Sequence, residues 1–321
     1  MGHEVVAEVW RGDFLESVHH GTVVATDASG TTVLEIGRPG DVAFPRSSNK
    51  PLQALAMLRC GISRGLDLDG ELLALACASH SGEDFHVEGA LKILASAGLG
   101  EDALQCTPDL PLGEDARAQH LARGLAAAPK YMNCSGKHAA MLATCVANGW
   151  SIEDYLDPTH PLQVATRKTI EDVAGEPVAQ VGVDGCGAPI FAISLTGLAR
   201  AFGRLASAPA GTLEHRVATA MNTYPQWVGG TGRDVTALMD ALPGVIAKDG
   251  AEGVYAVGLP TGEGVALKIA DGSSRARAVV IVAVLKRLGV DVSKVEDLAT
   301  VPVLGHGRAV GAVKPSLALA C

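Results

Sequence analysis

The apolar residues change their period twice along the chain, and that change limits the fold more than any other feature. The first 37 residues alternate polar and apolar in short runs, VVAEVWRG, ESVHHGTVVATD and TTVLEIG, broken at RGDF and DASG. A period of two marks half-buried strands and the breaks hold turn residues, so this segment predicts an antiparallel meander. Near the other end, GVYAVGLPTGEGVALKIAD predicts two more strands around PTGEG, and SSRARAVVIVAVLKRLG predicts a Ser-capped amphipathic helix. Between them, over roughly residues 47 to 242, the spacing is helical. SNKPLQALAMLRCG, HVEGALKILASAG, GKHAAMLATCVANG, HPLQVATRKTIEDVAG and TLEHRVATAMNTY each stop at Gly, Asn or Pro signals. Pairing of the terminal strands in one sheet, with the helical middle packed on it, is an α+β architecture. Residues 1–45 and 245–321 are expected to form the sheet with its flanking helices, and residues 46–244 the helical region. A ligand site belongs in the cleft between the two layers.

At 321 residues with 48% hydrophobic content the chain can bury a sizeable core. Its net charge of −9 is spread along the sequence, and no Lys/Arg run interleaves with aromatics, which excludes nucleic acid as an expected partner. A small anionic or zwitterionic partner fits this balance. The segment MGHEVVAEVWRGD carries charges where a signal peptide needs an apolar run, and no stretch reaches the roughly 18 apolar residues of a spanning helix. Val6 also breaks the myristoylation pattern. These features read as a cytoplasmic protein without a membrane partner. Without a Walker loop or a G-x-G-x-x-G, no nucleotide or organic cofactor is expected. The seven cysteines form no CxxC pair, and an odd number argues against a disulfide framework. Cys60, Cys77 and Cys145 read as small buried hydrophobes inside helices.

Four clusters carry candidate chemistry. In FPRSSNKPLQALAML, Ser47 and Lys50 stand three apart at the start of a helix apolar nearly all round. Residues three apart share a helix face, and a buried helix start favours an alkoxide and a neutral lysine, so Lys50 can serve as base to Ser47. The competing reading is a capping serine with a solvated lysine. Arg46 would add positive charge or bind a carboxylate. In CASHSGEDFH, Ser79 is a candidate relay hydroxyl, while the histidines read as a cap or a surface switch. NCSGKHAAML holds Cys134, Lys137 and His138, and VDGCGAP holds Asp184 and Cys186. Two thiols and a nitrogen suit Zn²⁺, although these cysteines lack the tight spacing of a zinc finger. VGGTGRD reads as a turn.

RSSNKPLQA, CASHSGE, NCSGKHAAML, VDGCGAP and KDGAEGVYAVGLPTGEGVALK, in this order, resemble the asparaginase II family of Rhizobium type. The resemblance spans nearly the whole chain and implies a fold similar to serine β-lactamases and serine-dependent glutaminases. It implies that Ser47 is the nucleophile and Lys50 its base, with Ser79 and Lys248 as a second Ser/Lys pair and Lys268 as the alternative lysine. It also implies a Zn²⁺ site of Cys134, Lys137 and Cys186, and a homodimer. Arg46 and Asp184 then become the candidates for the substrate α-carboxylate and α-amine, and His138 is counted with them as a substrate contact.

Three functions remain in view: an asparaginase releasing L-aspartate and ammonia from L-asparagine, a related serine amidohydrolase for glutamine or a β-lactam, and a non-enzymatic zinc-stabilised binding protein.

Overall fold

The computed structural model describes residues 2–62 and 68–319. Cys321, the last of the seven cysteines, lies outside them; the other six form no disulfide. The predicted meander is present as β1 (Glu4–Arg11), β2 (Phe14–Thr26) and β3 (Thr32–Ile36), followed by the short β4 (Val42–Ala43). Six helices come next: α1 (Lys50–Arg59), α2 (Gly70–Ala76), α3 (Asp84–Ser96), α4 (Glu114–Ala122), α5 (Ser135–Asn148) and α6 (Pro161–Ala174). A hairpin of β5 (Gln180–Val183) and β6 (Pro189–Ser194) interrupts them before α7 (Leu195–Ala206), α8 (Leu213–Thr223), α9 (Pro225–Val228) and α10 (Asp234–Ala241). The chain closes with β7 (Ile246–Gly250), β8 (Val254–Gly258), β9 (Gly264–Ile269), α11 (Arg277–Arg287), β10 (Val301–Gly305) and β11 (Arg308–Pro315).

Strands from both ends interleave in one antiparallel sheet of order β10-β11-β1-β2-β9-β8-β7, with β3 on the far end of β2. The two ends meet twice. Val9 stands opposite Val313 across the β1/β11 pair, and Val23 opposite Leu267 across β2/β9. The fold is therefore α+β, with a sheet made from both ends and helices between.

Helix α7 packs on β2, β8 and β9, while α11 packs on β1, β8, β9 and β11. Every residue of β8 is buried, so both faces of the sheet centre are covered. Burying each of Val254, Val257, Val265 and Leu267 completely contributes about 1.5–3 kcal/mol relative to exposure. The close approach of α7 requires glycine at Gly264, where a Cβ would fall 1.8 Å from the Ala199 carbonyl oxygen.

Three parts of the fold depart from the sequence expectation. Strand β7 has charged residues at its centre, Lys248 and Asp249, yet all five of its residues are buried. Strands β10 and β11 form although proline and glycine weaken their alternation. The β5/β6 hairpin, which β4 joins in a second sheet of order β4-β6-β5, lies within the segment read as helical. Among the described residues, no helix is long and apolar enough to cross a membrane.

Helix α1 is buried from Lys50 to Leu58 and packs among α2, α5, α6 and α8. Its start is reached through a 3-10 turn, Arg46–Asn49, which rests on β7 and β8. Sheet and helices meet there.

Candidate active site

Ser47 sits in that 3-10 turn rather than in the α-helix itself. Arg46 just before it is left-handed, with φ +52°, a conformation costing a side-chain-bearing residue roughly 1–3 kcal/mol. Its guanidinium is held by Asp184, Nε to Oδ1 2.9 Å, and more loosely by Glu252 at 3.7 Å. Ser48 donates its hydroxyl to the Pro45 carbonyl at 2.6 Å, and Lys50 N–H donates to the Ser47 carbonyl. Gly250, the glycine of KDG, allows the turn to seat on β7, since a Cβ there would lie 2.7 Å from Pro45 O. The half-buried Ser47 makes no side-chain cap to α1, and its hydroxyl has no hydrogen bond among the described residues.

Three lysines with almost no exposure converge behind this turn. Lys50 Nζ donates to Ala78 O at 2.7 Å, to Ser79 Oγ at 3.0 Å and to Asn133 Oδ1 at 3.5 Å. Burial pushes its pKa down. Lys248, completely buried on β7, donates to the Asp249 carboxylate at 2.6 Å and to the Asp249 carbonyl at 2.8 Å. Burial dominates there too, lowering its pKa to about 8 against the opposing pull of Asp249, and the Lys50 charge adds to the depression. Lys268 instead points from β9 to the Glu252 carbonyl, at 2.7 Å, and stays half-buried. The structure thus brings Lys50 to Ser79. It leaves Ser47 one turn before Lys50 without a hydrogen bond between their side chains, and Lys248 bonded to Asp249 rather than to Ser79.

The third lysine belongs to a thiol cluster. Cys134 precedes α5, while Lys137 and His138 lie in its first turn. Cys186 comes from the loop between β5 and β6, where Gly187, φ +85°, returns its N–H to Asp184 O. This hairpin closes the 52-residue gap that had counted against a metal. Lys137 Nζ lies 3.2 Å from Cys186 Sγ. Ligand atoms of Cys134, His138 and Cys186 all fall within 4.8 Å of one another, and all three residues are buried. Burial disfavours the Lys137 ammonium, but the Cys186 thiolate outweighs it and holds that pKa above the ordinary lysine value. The hydrogen bond from Cys134, with Lys137 and His138 behind it, holds the Cys186 thiol well below its usual range, whereas burial pushes Cys134 up. The cluster so described is a thiolate beside an ammonium.

These side chains fit Zn²⁺ chemically: two sulfurs and two nitrogens, the soft and borderline donors that ion prefers. His138 adds a physical sign of fit. Its Nδ1 hydrogen-bonds the Tyr155 hydroxyl at 2.7 Å, and its buried Nε2 has no hydrogen-bond partner.

Arg46 and Asp184, expected at opposite ends of a substrate, are each other's partners here. Asp184 lies two residues before Cys186, so the pair ties the Ser47 turn to the thiol loop. The histidines of CASHSGEDFH are not a surface switch. His80 Nε2 meets Ser135 Oγ at 3.0 Å, His86 Nε2 meets Gln226 O at 2.9 Å, and burial lowers both pKa values, His86 to about 4. VGGTGRD is indeed a turn, yet it frames the site: Ser79 N–H donates to Val228 O, and Arg233 reaches Ser79 O at 3.5 Å.

Sequence reasoning missed Asp249, Arg233, Arg277 and Asn133. The Asp249 carboxylate receives Arg233 at 2.8 Å and lies 3.6 Å from Arg277; burial would raise its pKa, but Lys248 and the two arginines hold it well down. The signal for Asp249 was its place beside Lys248 in KDG. A large open cleft lined by Ser81, Glu83, Pro111, Tyr131, Thr231 and Arg233 adjoins this network but does not include Ser47.

A protein-family model described as L-asparaginase II matches residues 7–315. No curated protein matches the chain significantly. Among solved structures, Mglu in its native form shares 13% identity at a TM-score of 0.47, over 85% of this chain and 65% of that one. The chain therefore spans less than two thirds of Mglu. A beta-lactamase from Mycobacterium bovis shares 13% identity at a TM-score of 0.48, over 83% of this chain and 94% of that one. EstCE1, described as a hydrolase with promiscuous acyltransferase activity, shares 13% at a TM-score of 0.44, over 81% and 92%.

Proposed function

The chain belongs to the L-asparaginase II family, and from that premise we propose that it is an amidohydrolase converting L-asparagine and water to L-aspartate and ammonia. The observation that carries the reading is Lys50: buried, depressed in pKa, one turn after Ser47 and 3.0 Å from Ser79 Oγ. A serine attacks an amide only when a base takes its proton, and a lysine is a base only when neutral.

In this reading Lys50 accepts the Ser47 proton as Oγ bonds to the side-chain carbonyl carbon. The C–N bond breaks, ammonia leaves with a proton delivered through Ser79 and Lys248, and water then cleaves the aspartyl ester. Unaligned catalytic hydrogen bonds are common before substrate binds, so the free Ser47 hydroxyl is compatible with this role. Backbone N–H groups at the start of the turn, that of Ser47 included, are natural oxyanion donors. A zwitterion would exchange the Arg46/Asp184 ion pair for two new ones, carboxylate on Arg46 and ammonium on Asp184. Glutamine, one methylene longer, would be disfavoured by only ~1–3 kcal/mol. Zn²⁺ held by Cys134, Lys137 and Cys186 would supply a fixed positive charge beside the site and tie the Asp184 loop to α5. A cytoplasmic location is proposed on the sequence alone, and a homodimer on the family resemblance.

The Lys50–Ser79 hydrogen bond favours one rival assignment, Ser79 as nucleophile. Ammonia release from asparagine, glutamine and a β-lactam by Ser47→Ala and Ser79→Ala proteins decides. Ser47→Ala is expected to lose at least about 10³-fold with the fold intact. Loss confined to Ser79→Ala would transfer the role, full activity in both would place the nucleophile elsewhere, and no ammonia release by the unaltered protein would leave a binding protein instead of an enzyme.

A further inference from the structure

We propose that Arg233 is the positioning residue of the Ser79/Lys248 pair, fastening the segment that carries Ser79 to Asp249, the carboxylate that holds Lys248. This rests on the relay reading above and supplies the connection that the pair itself lacks.

The turn comes first. VGGTGRD is stitched along the segment that begins at Ser79. Ser79 N–H donates to Val228 O at 3.1 Å, the Ser81 hydroxyl donates to Gly229 O at 3.0 Å, and Thr231 gives the Glu83 carboxylate its N–H at 2.8 Å and its hydroxyl at 2.7 Å. Gly230, φ +115°, permits this closeness, since a Cβ there would fall 2.3 Å from the Ser81 hydroxyl oxygen. Arg233 then leaves the turn toward β7. One nitrogen of its guanidinium reaches Ser79 O at 3.5 Å, and the other donates to Asp249 Oδ2 at 2.8 Å. Asp249 Oδ1 accepts Lys248 Nζ at 2.6 Å. Polar contacts therefore run unbroken from Ser79 through Arg233 and Asp249 to Lys248, and the rigid fork of a guanidinium is what lets one side chain hold both ends.

The charge comes second. Asp249 faces Lys248, Arg233 and, at 3.6 Å, Arg277. A carboxylate shared with arginine holds an ammonium less tightly than one given to it alone, and a second positive charge nearby works against that ammonium. Burial is the main reason that Lys248 titrates at about 8; Asp249 opposes it, and the Lys50 and Arg233 charges act with burial. The other groups facing the pair do not bridge it to Ser79. Cys77, after α2, and Tyr255, on β8, are pushed up by burial, Cys77 to about 12; Asp234, at the start of α10, is pushed up by burial and by Asp249; Arg277, on α11, donates to Gly250 O at 2.9 Å. Arg233 both grips the Ser79 backbone and biases Lys248 toward the free amine. Its side chain lines the open cleft and is 22% exposed, so replacing it opens no cavity in the core.

The pH dependence of kcat/KM for asparagine, with parallel urea midpoints on the full-length protein, tests this. In the unaltered protein the rate should rise through about pH 8. Arg233→Gln keeps a hydrogen-bond donor and loses the charge. In it the rise should move about one pH unit higher, leaving kcat/KM about tenfold lower at about pH 7 and within about threefold of the unaltered protein at about pH 10. The alkaline gain in urea midpoint should shrink in the same variant, because the folded and unfolded titrations of Lys248 draw together. Arg233→Lys should return the rise to its original pH. A merely structural arginine predicts lower midpoints at every pH with the rise unmoved, and that result would overturn the proposal. If Arg233→Gln does not fold, Glu83→Ala decides: freeing the turn should move the rise the same way and cost about threefold at about pH 7, and an unmoved rise would again count against Arg233. Absence of any rise near pH 8 in the unaltered protein would instead remove the Lys248 relay, and this role with it, while the Ser47 assignment stands. No ammonia release at any pH would remove the amidohydrolase reading together with both.

Discussion

Lys50, Lys137 and Lys248 are buried in one region, and their surroundings treat the charge in three different ways. Lys50 has only neutral oxygens as partners, so burial prevails and it is the best placed of the three to act as a base. Burial lowers Lys248 too, to about 8, although Asp249 opposes it, and Lys137 is charged by its thiol neighbours. Ser47, Lys50, Ser79, Cys134 and Cys186 were legible in the sequence because each interrupts an apolar or glycine-rich context with a reactive group. Asp249, Arg233 and Tyr155 were not, since a charge beside a strand reads as solvated and only the fold brings their partners near. The Arg46/Asp184 pair supports a prediction at this scale. Asp184→Asn should lower kcat/KM for asparagine about 10- to 100-fold, mostly through KM, as expected for losing one charge-assisted bond. An asparagine analogue lacking the α-amine should suffer that loss with the unaltered enzyme and almost no further loss with the variant. Steady-state kinetics on both substrates checks it, and a full additional loss on the analogue would mean Asp184 does not meet the amine.

Strand β7 and the 3-10 turn form the pair of elements on which the site depends. The turn was read as the start of a helix, and β7 gave no periodic signal of its own because its pattern, IAKDG, places charges where a buried strand has apolar residues. What permits their burial is pairing, Lys248 with Asp249 and Asp249 with Arg233 and Arg277, the two arginines being supplied by other elements. This arrangement gives a pH dependence. The folded Lys248 titrates at about 8, below the ordinary lysine value of 10.5 that the unfolded chain retains. Between those values the unfolded chain binds more protons, so stability rises with pH across that window and is unchanged by this group below it. If relay requires neutral Lys248, kcat/KM rises through about the same pH 8. A pH–rate profile with parallel urea midpoints measures both. Lys248→Met should abolish the alkaline gain in stability, and an identical gain in the variant would assign it elsewhere.

At the scale of the molecule, strands at both ends and helices between were visible as two changes of hydrophobic period, and the interleaved sheet realises them. Strands β10 and β11 were hidden because proline and glycine weaken the alternation, and the β4-β6-β5 sheet because its strands are short or uniformly buried. Closing the sheet from both ends is what sets the Ser47 turn against β7, with the helical layer, Lys50 included, behind it. The central claim is that this junction makes an acyl-enzyme. Intact-protein mass spectrometry on samples acid-quenched within the first turnovers of asparagine tests it most directly. The account predicts a mass increase of one aspartyl group, carried by the peptide containing Ser47 and absent from Ser47→Ala. Ammonia release without any covalent species, or an adduct on any residue other than Ser47, would contradict it.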